Sequence, residues 1–114
     1  MGAGSRKARE ALLELAIMEP DAHPLEKATN ALNLAIPELA GRDPDRWASA
    51  EYNLGRAHLR LGEQRHPQVL DFNFAETAFR RALSVWTSGP KHDMAIAALA
   101  NVHRHLKALG HRNT

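Results

Sequence analysis

The sequence predicts an all-α fold, and three observations carry the prediction. Alanine and leucine dominate the 114 residues while valine, isoleucine and threonine are sparse; Ala and Leu lose little conformational freedom in a helix, whereas branched side chains lose more. Apolar residues recur at spacings of three and four, the signature of one helical face. No stretch of useful length alternates apolar and polar residues as a half-buried strand would. Hydrophobic residues make up 44% and charged residues 25%, values of a globular chain, and the length fits one domain over 1–114. Proline, glycine and cap residues divide it into five predicted helices at 5–18, 24–40, 44–61, 67–86 and 90–109.

The first, 5–18, has Ser5 as its cap and Leu12, Leu13, Leu15, Ala16 and Ile17 as its apolar face. Pro20 ends it, because a residue before proline is pushed out of helical geometry. The second starts at Pro24, where a missing N–H costs nothing, and spaces Leu25, Ala28, Ala31, Leu32, Ala35 and Ile36 along one face. Pro37 should kink or stop it, and Gly41 closes the segment. The third has the clearest start, with Asp43 as cap, Pro44 in the first turn and Asp45 favourable to the helix dipole. It carries Trp47, Ala50, Leu54, Ala57, His58 and Leu61, then meets Gly62 as a stop. In the fourth, Phe72, Ala75, Phe79, Ala82, Leu83 and Trp86 form one stripe. The fifth begins at Pro90 and ends at Gly110. Short links make antiparallel neighbours of successive helices.

The helices repeat. At an offset of 47 residues, Ala28, Ala31, Leu32, Ala35 and Ile36 fall on Ala75, Ala78, Phe79, Ala82 and Leu83. Small residues recur where helices approach closely, and a bulky one where a knob fills the gap. At an offset of 45, Leu54, Gly55 and His58 fall on Leu99, Ala100 and His103. One hairpin cannot hide its apolar face, so hairpins must stack on their neighbours, with the last helix as a cap.

Tyr52, Asn53, Leu54, Gly55, Arg56, Ala57 and His58, running on to Leu61 and Gly62, resemble the first helix of a tetratricopeptide repeat. Ala75, Phe79, Ala82 and Leu83 resemble its second helix, and Pro90 lies slightly beyond the family's terminal proline. The resemblance spans 47–87, extends in weaker form to the other helices, and implies a short array of stacked antiparallel hairpins. Between Gly62 and Ala75 there are about eight more residues than the family's tight turn. The segment 63–73 therefore lengthens the fourth helix at its start or protrudes as a loop, an enlargement similar to that of bacterial long-repeat members.

The resemblance also implies a function: a non-catalytic adaptor holding a peptide or partner helix in a concave groove lined by the first helix of each repeat. Here that lining is Ser49, Tyr52, Asn53, Arg56, Leu59 and Arg60, joined by Ala97, Asn101, Arg104 and His105. Its arginines make the groove cationic and suit carboxylates, so the expected partner is an acidic segment or a C-terminal carboxylate of another protein. Asn53 matches one position of the carboxylate clamp of chaperone-binding relatives, but the clamp's other lysines and asparagines do not line up. Self-assembly through an exposed helix face is the first alternative, and a basic nucleic-acid binder the second.

Charge speaks against the second. The net charge is +2, and the bases cluster at Arg6, Lys7, Arg9 and at 103–112 with no aromatic stacking group among them. Zero cysteines exclude a disulfide framework, a thiolate metal site and a cysteine nucleophile. Glu10 and Glu14 interrupt the apolar run a secretory leader needs, and no window approaches the ~18 apolar residues of a membrane span, so the expected setting is cytoplasmic. Of seven histidines, none has a same-face partner at helical spacing; His58 and His103 share a repeat position across two helices. Glu51 and Glu76 read as solvated carboxylates, and no phosphate loop or nucleophile elbow occurs. Neither an enzyme, a metal nor a cofactor is expected. Of the aromatic residues, Phe79 and Trp86 read as core, and Trp47 and Phe72, near element ends, as a contact surface.

Overall fold

The computed structural model describes residues 22–64 and 69–112. Among them the fold is all-helical, with α1 (Ala22–Leu39), α2 (Pro44–Gln64), α3 (Val69–Leu83) and α4 (Gly89–Arg112). The described residues hold four helices, where the sequence predicted five over the whole chain. The predicted helix at 5–18, with Arg6, Lys7 and Arg9, lies outside the described residues. No helix among the described residues is long and apolar enough to cross a membrane.

The α1–α2 junction follows from local chemistry. The chain leaves α1 through Gly41, whose φ of 75° is strained for any residue with a Cβ. Asp43 then caps α2, its Oδ1 accepting from the Arg46 N–H at 3.2 Å, while Pro44 opens the first turn. Pro37 does not stop α1: the helix runs on to Leu39, and only the last turn follows the proline.

Glycines read as stops prove otherwise. α2 runs through Gly62 to Gln64, and α4 through Gly110 to Arg112. Gly62 is where the ring of Phe72 seats; a Cβ built there would lie 2.6 Å from Phe72 Cε1. One turn pair earlier, Gly55 receives the ring of Phe79 in the same way. Residue 55 opposite 79 and 62 opposite 72 makes α2 and α3 antiparallel. Part of 63–73 thus extends both helices: Glu63 and Gln64 belong to α2, and Val69 to Asn73 to α3.

Three apolar clusters build the core. Leu25, Ala28 and Leu32 of α1 meet Ala50, Leu54, Ala57 and Leu61 of α2. Phe72, Ala75 and Phe79 of α3 meet Leu59 of α2 and Leu99 and Val102 of α4. Ala48, Ala82, Trp86 and Ala95 join the ends of α2, α3 and α4. Tyr52 bridges the last two clusters, 5.5 Å from Phe79 and 5.7 Å from Trp86 between ring centroids. Phe72 is therefore core, at 3% exposure, and not a contact surface: α3 begins before it, so it sits in the helix body facing α2. Trp47 is half-buried against the third cluster.

Each helix packs on its chain neighbours, and α2 also touches α4. These two run in the same direction, because Asp45 meets Lys91 at 2.9 Å near one end and Glu63 meets His105 at 3.1 Å near the other. Asp45 also accepts from the Trp86 indole N–H at 2.9 Å, tying the starts of α2 and α4 to the end of α3. By contrast, no Cα pair between α1 and α3 comes within 8 Å. A crevice floored by α2 separates them.

Candidate functional site

Two surfaces are candidates, on opposite flanks of α2. The first is the predicted groove. Since α3 covers the Gly55–Gly62 side of α2, a rotation of 100° per residue turns Ser49, Asn53, Arg56 and Arg60 away from α3. On α4 the same geometry turns Ala97, Asn101 and Arg104 away from it. Arg56 Nη1 lies 3.5 Å from Asn53 Oδ1, and its guanidinium sits 5.9 Å from the Tyr52 ring centroid. Arg104 donates to Asn101 Oδ1 at 3.0 Å. Arg60 and His105 both meet Glu63, at 3.3 and 3.1 Å, and the His105 ring stacks on Phe72 with centroids 4.6 Å apart.

Two of the predicted lining residues are elsewhere. Leu59 is buried in the α3–α4 cluster, because its position on α2 points at α4 and not along the Arg56–Arg60 stripe. Tyr52 is half-buried and spends its ring on Phe79 and Trp86. Glu63, a residue the sequence reading left out of the groove, neutralises part of its positive charge.

The second surface is the crevice, a cavity of about 370 Å³. α2 supplies its floor with Glu51, Leu54 and His58, at helical spacings of three and four. α3 supplies one wall with Phe74, Thr77, Ala78 and Arg81, and α1 supplies Asn33 from the other. Phe74, 48% exposed, stands at its edge with its ring 5.0 Å from the His58 ring.

Glu51 departs most from expectation. Read as solvated, it is 1% exposed. Its Oε1 has no hydrogen-bond partner, and its Oε2 is 3.7 Å from Arg81 Nη1, beyond hydrogen-bonding distance. Burial pushes its pKa above the ordinary glutamate value, and the Arg81 charge opposes that only in part. A buried carboxylate oxygen with no hydrogen-bond partner is costly even when the other oxygen is paired with a cation.

His58 Nδ1 lies 3.2 Å from Asp71 Oδ1, with both side chains largely buried. His58 and His103 do not share a partner: His103 Nε2 meets Glu76 Oε2 at 2.6 Å on the far side of α3. Among the described residues, no three His, Asp or Glu side chains are grouped to hold a metal ion.

With this geometry in place, comparison with known proteins adds nothing to it. No protein-family model, curated protein or solved structure matches this chain.

Sequence reasoning missed the crevice because Glu51 and Arg81 carry the charges of surface residues. One signal was present: Glu51 falls between Leu54 and Gly55 on the buried side of the α2 wheel, away from Asn53, Arg56 and Arg60.

Proposed function

We propose that this chain is a short helical-repeat array of the tetratricopeptide kind, acting as a non-catalytic adaptor that holds an acidic peptide or helix against α2 and α4. The observation that carries the reading is a matched pair of amide–guanidinium couples, Asn53 with Arg56 on α2 and Asn101 with Arg104 on α4. They sit on two helices running the same way, on the faces turned from α3. Asparagine can bond an extended backbone while an arginine fork takes a carboxylate in a bidentate grip. Two such couples side by side suit a ligand with acidic groups at intervals along its length.

A non-catalytic role is favoured by what the polar groups do. The His58 hydrogen bond goes to Asp71 and not to a hydroxyl, and Glu51 lies two turns away, about 10.5 Å along the helix axis. Glu51 makes no hydrogen bond to His58, so the two form no direct proton relay.

Fluorescence anisotropy with labelled acidic peptides, free or amidated at the C-terminus, tests the proposal. Wild type should bind, with an affinity that falls as salt rises. The double change Arg56→Glu/Arg104→Glu should abolish binding without loss of helical circular dichroism. Glu63→Gln should strengthen it by freeing Arg60 and His105. Retained affinity in the double variant, or no binding by any acidic peptide, would refute the proposal. A concentration-independent oligomer that binds no peptide would favour the self-assembling subunit instead.

A further inference from the structure

We infer that the crevice flank is a homodimer interface, in which the α3 helices of two copies lie antiparallel and Phe74 of each enters the crevice of the other. The starting point is where the exposed apolar residues fall. Val69, Leu70 and Phe74 are three of the six large apolar side chains that stand exposed among the described residues. All three lie in the first two turns of α3. Leu70 is 60% and Phe74 48% exposed. A lone exposed apolar residue is ordinary, whereas a cluster holding a half-exposed phenylalanine marks a contact surface. The other three form no patch: Leu34 is alone on α1, and Met94 and Ile96, two residues apart on α4, point to opposite sides of that helix.

The shape of the patch selects a second copy of this chain. Leu70, Phe74, Thr77 and Arg81 follow at intervals of four, three and four, one stripe of α3, and the last three line the crevice. A protruding ring and a cavity of about 370 Å³, walled by Leu54 and Ala78, therefore lie side by side. A two-fold interface requires this arrangement, since one surface must supply both what protrudes and what receives it. With the axis between Phe74 and Ala78, Phe74 of one copy lies over Ala78 and Leu54 of the other, and the reverse contact follows by symmetry.

Charge selects the direction. Arg81, whose side chain is 59% exposed, is the one charged residue of the stripe. A parallel pairing would set it beside its own copy. The antiparallel pairing separates the two guanidinium groups by ten residues of helical rise, about 15 Å, beyond the screening length of about 8 Å at physiological salt. Each Arg81 then lies near Leu70 of the other copy, which its methylene stem can cover. The predicted groove is on the opposite flank of α2 and stays open. Where that groove holds a peptide, a consequence that rests on the adaptor reading, the dimer presents two grooves and a ligand with two acidic segments gains avidity.

Sedimentation equilibrium of the full chain from micromolar to millimolar concentration tests the inference, and the apparent mass should double across that range. Phe74→Ser should weaken the dimer at least about tenfold, because two half-exposed rings leave the contact. Phe74 also packs on His58, so Thr77→Arg supplies a second variant: it sets two like charges near the axis without removing packing, and should weaken the dimer as much. Both should keep the helical spectrum, and Ile96→Ser on α4 should leave the dimer unchanged. Thr77→Cys, the sole thiol in a chain with no cysteine of its own, should form a disulfide between copies on oxidation, while Ile96→Cys should not. Acidic peptides should bind each groove equally well in wild type and Phe74→Ser, so that a failed groove and a failed dimer are told apart. A wild type that remains monomeric at millimolar concentration would overturn the inference and leave the patch to a helix of another protein. So would a dimer that survives both Phe74→Ser and Thr77→Arg, or one that Ile96→Ser breaks.

Discussion

Replacing Gly55 by alanine puts a methyl group where the ring of Phe79 already lies. The added Cβ would stand 2.6, 2.7 and 2.9 Å from Phe79 Cε1, Cδ1 and Cζ, all far inside van der Waals contact. Phe79 has 0% exposure and is boxed in by Tyr52, Leu99 and Val102, so the ring cannot swing clear. Overpacking of this kind costs about 1–3 kcal/mol. Against it, alanine is favoured over glycine inside a helix by about 1 kcal/mol. The net expectation is a loss of about 1 kcal/mol, or a fall of about 4–8 °C in the unfolding midpoint for a domain of this size. Gly110→Ala is the control: it is also helical, with nothing within 4 Å of the added Cβ, so it should be neutral or stabilising. The double change Gly55→Ala/Phe79→Leu should lose less than the sum of its single changes, because trimming the ring relieves the clash. Thermal and urea unfolding by circular dichroism measure all five proteins: wild type, Gly55→Ala, Phe79→Leu, their double variant and Gly110→Ala. A Gly55→Ala midpoint as high as that of Gly110→Ala would refute the close α2–α3 approach.

Two further expectations concern pH. Burial raises the Glu51 pKa in the folded state, so the folded protein holds this proton more tightly than the unfolded chain. The linked stability is complete below the ordinary glutamate value of about 4.3 and is lost as pH rises through the raised one. Glu51→Gln removes this dependence, so its stability relative to wild type should climb from pH 4 towards neutrality in paired unfolding series; a difference constant with pH would contradict the burial. Asp45 works in the opposite sense. The Lys91 hydrogen bond lowers its pKa most, followed by the Trp86 indole hydrogen bond and the Lys91 charge, with slight burial opposing. Its contribution is present above the ordinary aspartate value and lost as pH falls through the lowered one. Asp45→Asn should flatten the acid side of the stability profile and shift the acid transition of Trp86 fluorescence, whereas an unchanged acid limb would count against the clasp.

The determinants of the helices themselves were legible along the chain. Asp43 and Pro44 announce the start of α2 by capping chemistry that involves only their immediate neighbours. The spacing of Leu25, Ala28 and Leu32, or of Ala75, Phe79 and Ala82, marks a buried face because helical rotation fixes which residues share a side. All of these are buried as the pattern requires. What periodicity leaves open is which element covers a given face. Gly62 and Gly110 look alike as helix stops, yet one is the seat of Phe72 and the other meets open space. Leu59 sits one residue from Arg60, and only the position of α4 makes the first core and leaves the second at the groove. Glu51 carries a surface residue's charge, but α3 lies over it while α1 stands off, and that leaves a carboxylate both buried and facing a cavity. Local forces act within a turn or two of the chain and so are written into it; contacts such as Gly62 with Phe72 or Glu51 with Arg81 arise between different helices, and exist only once the helices have docked.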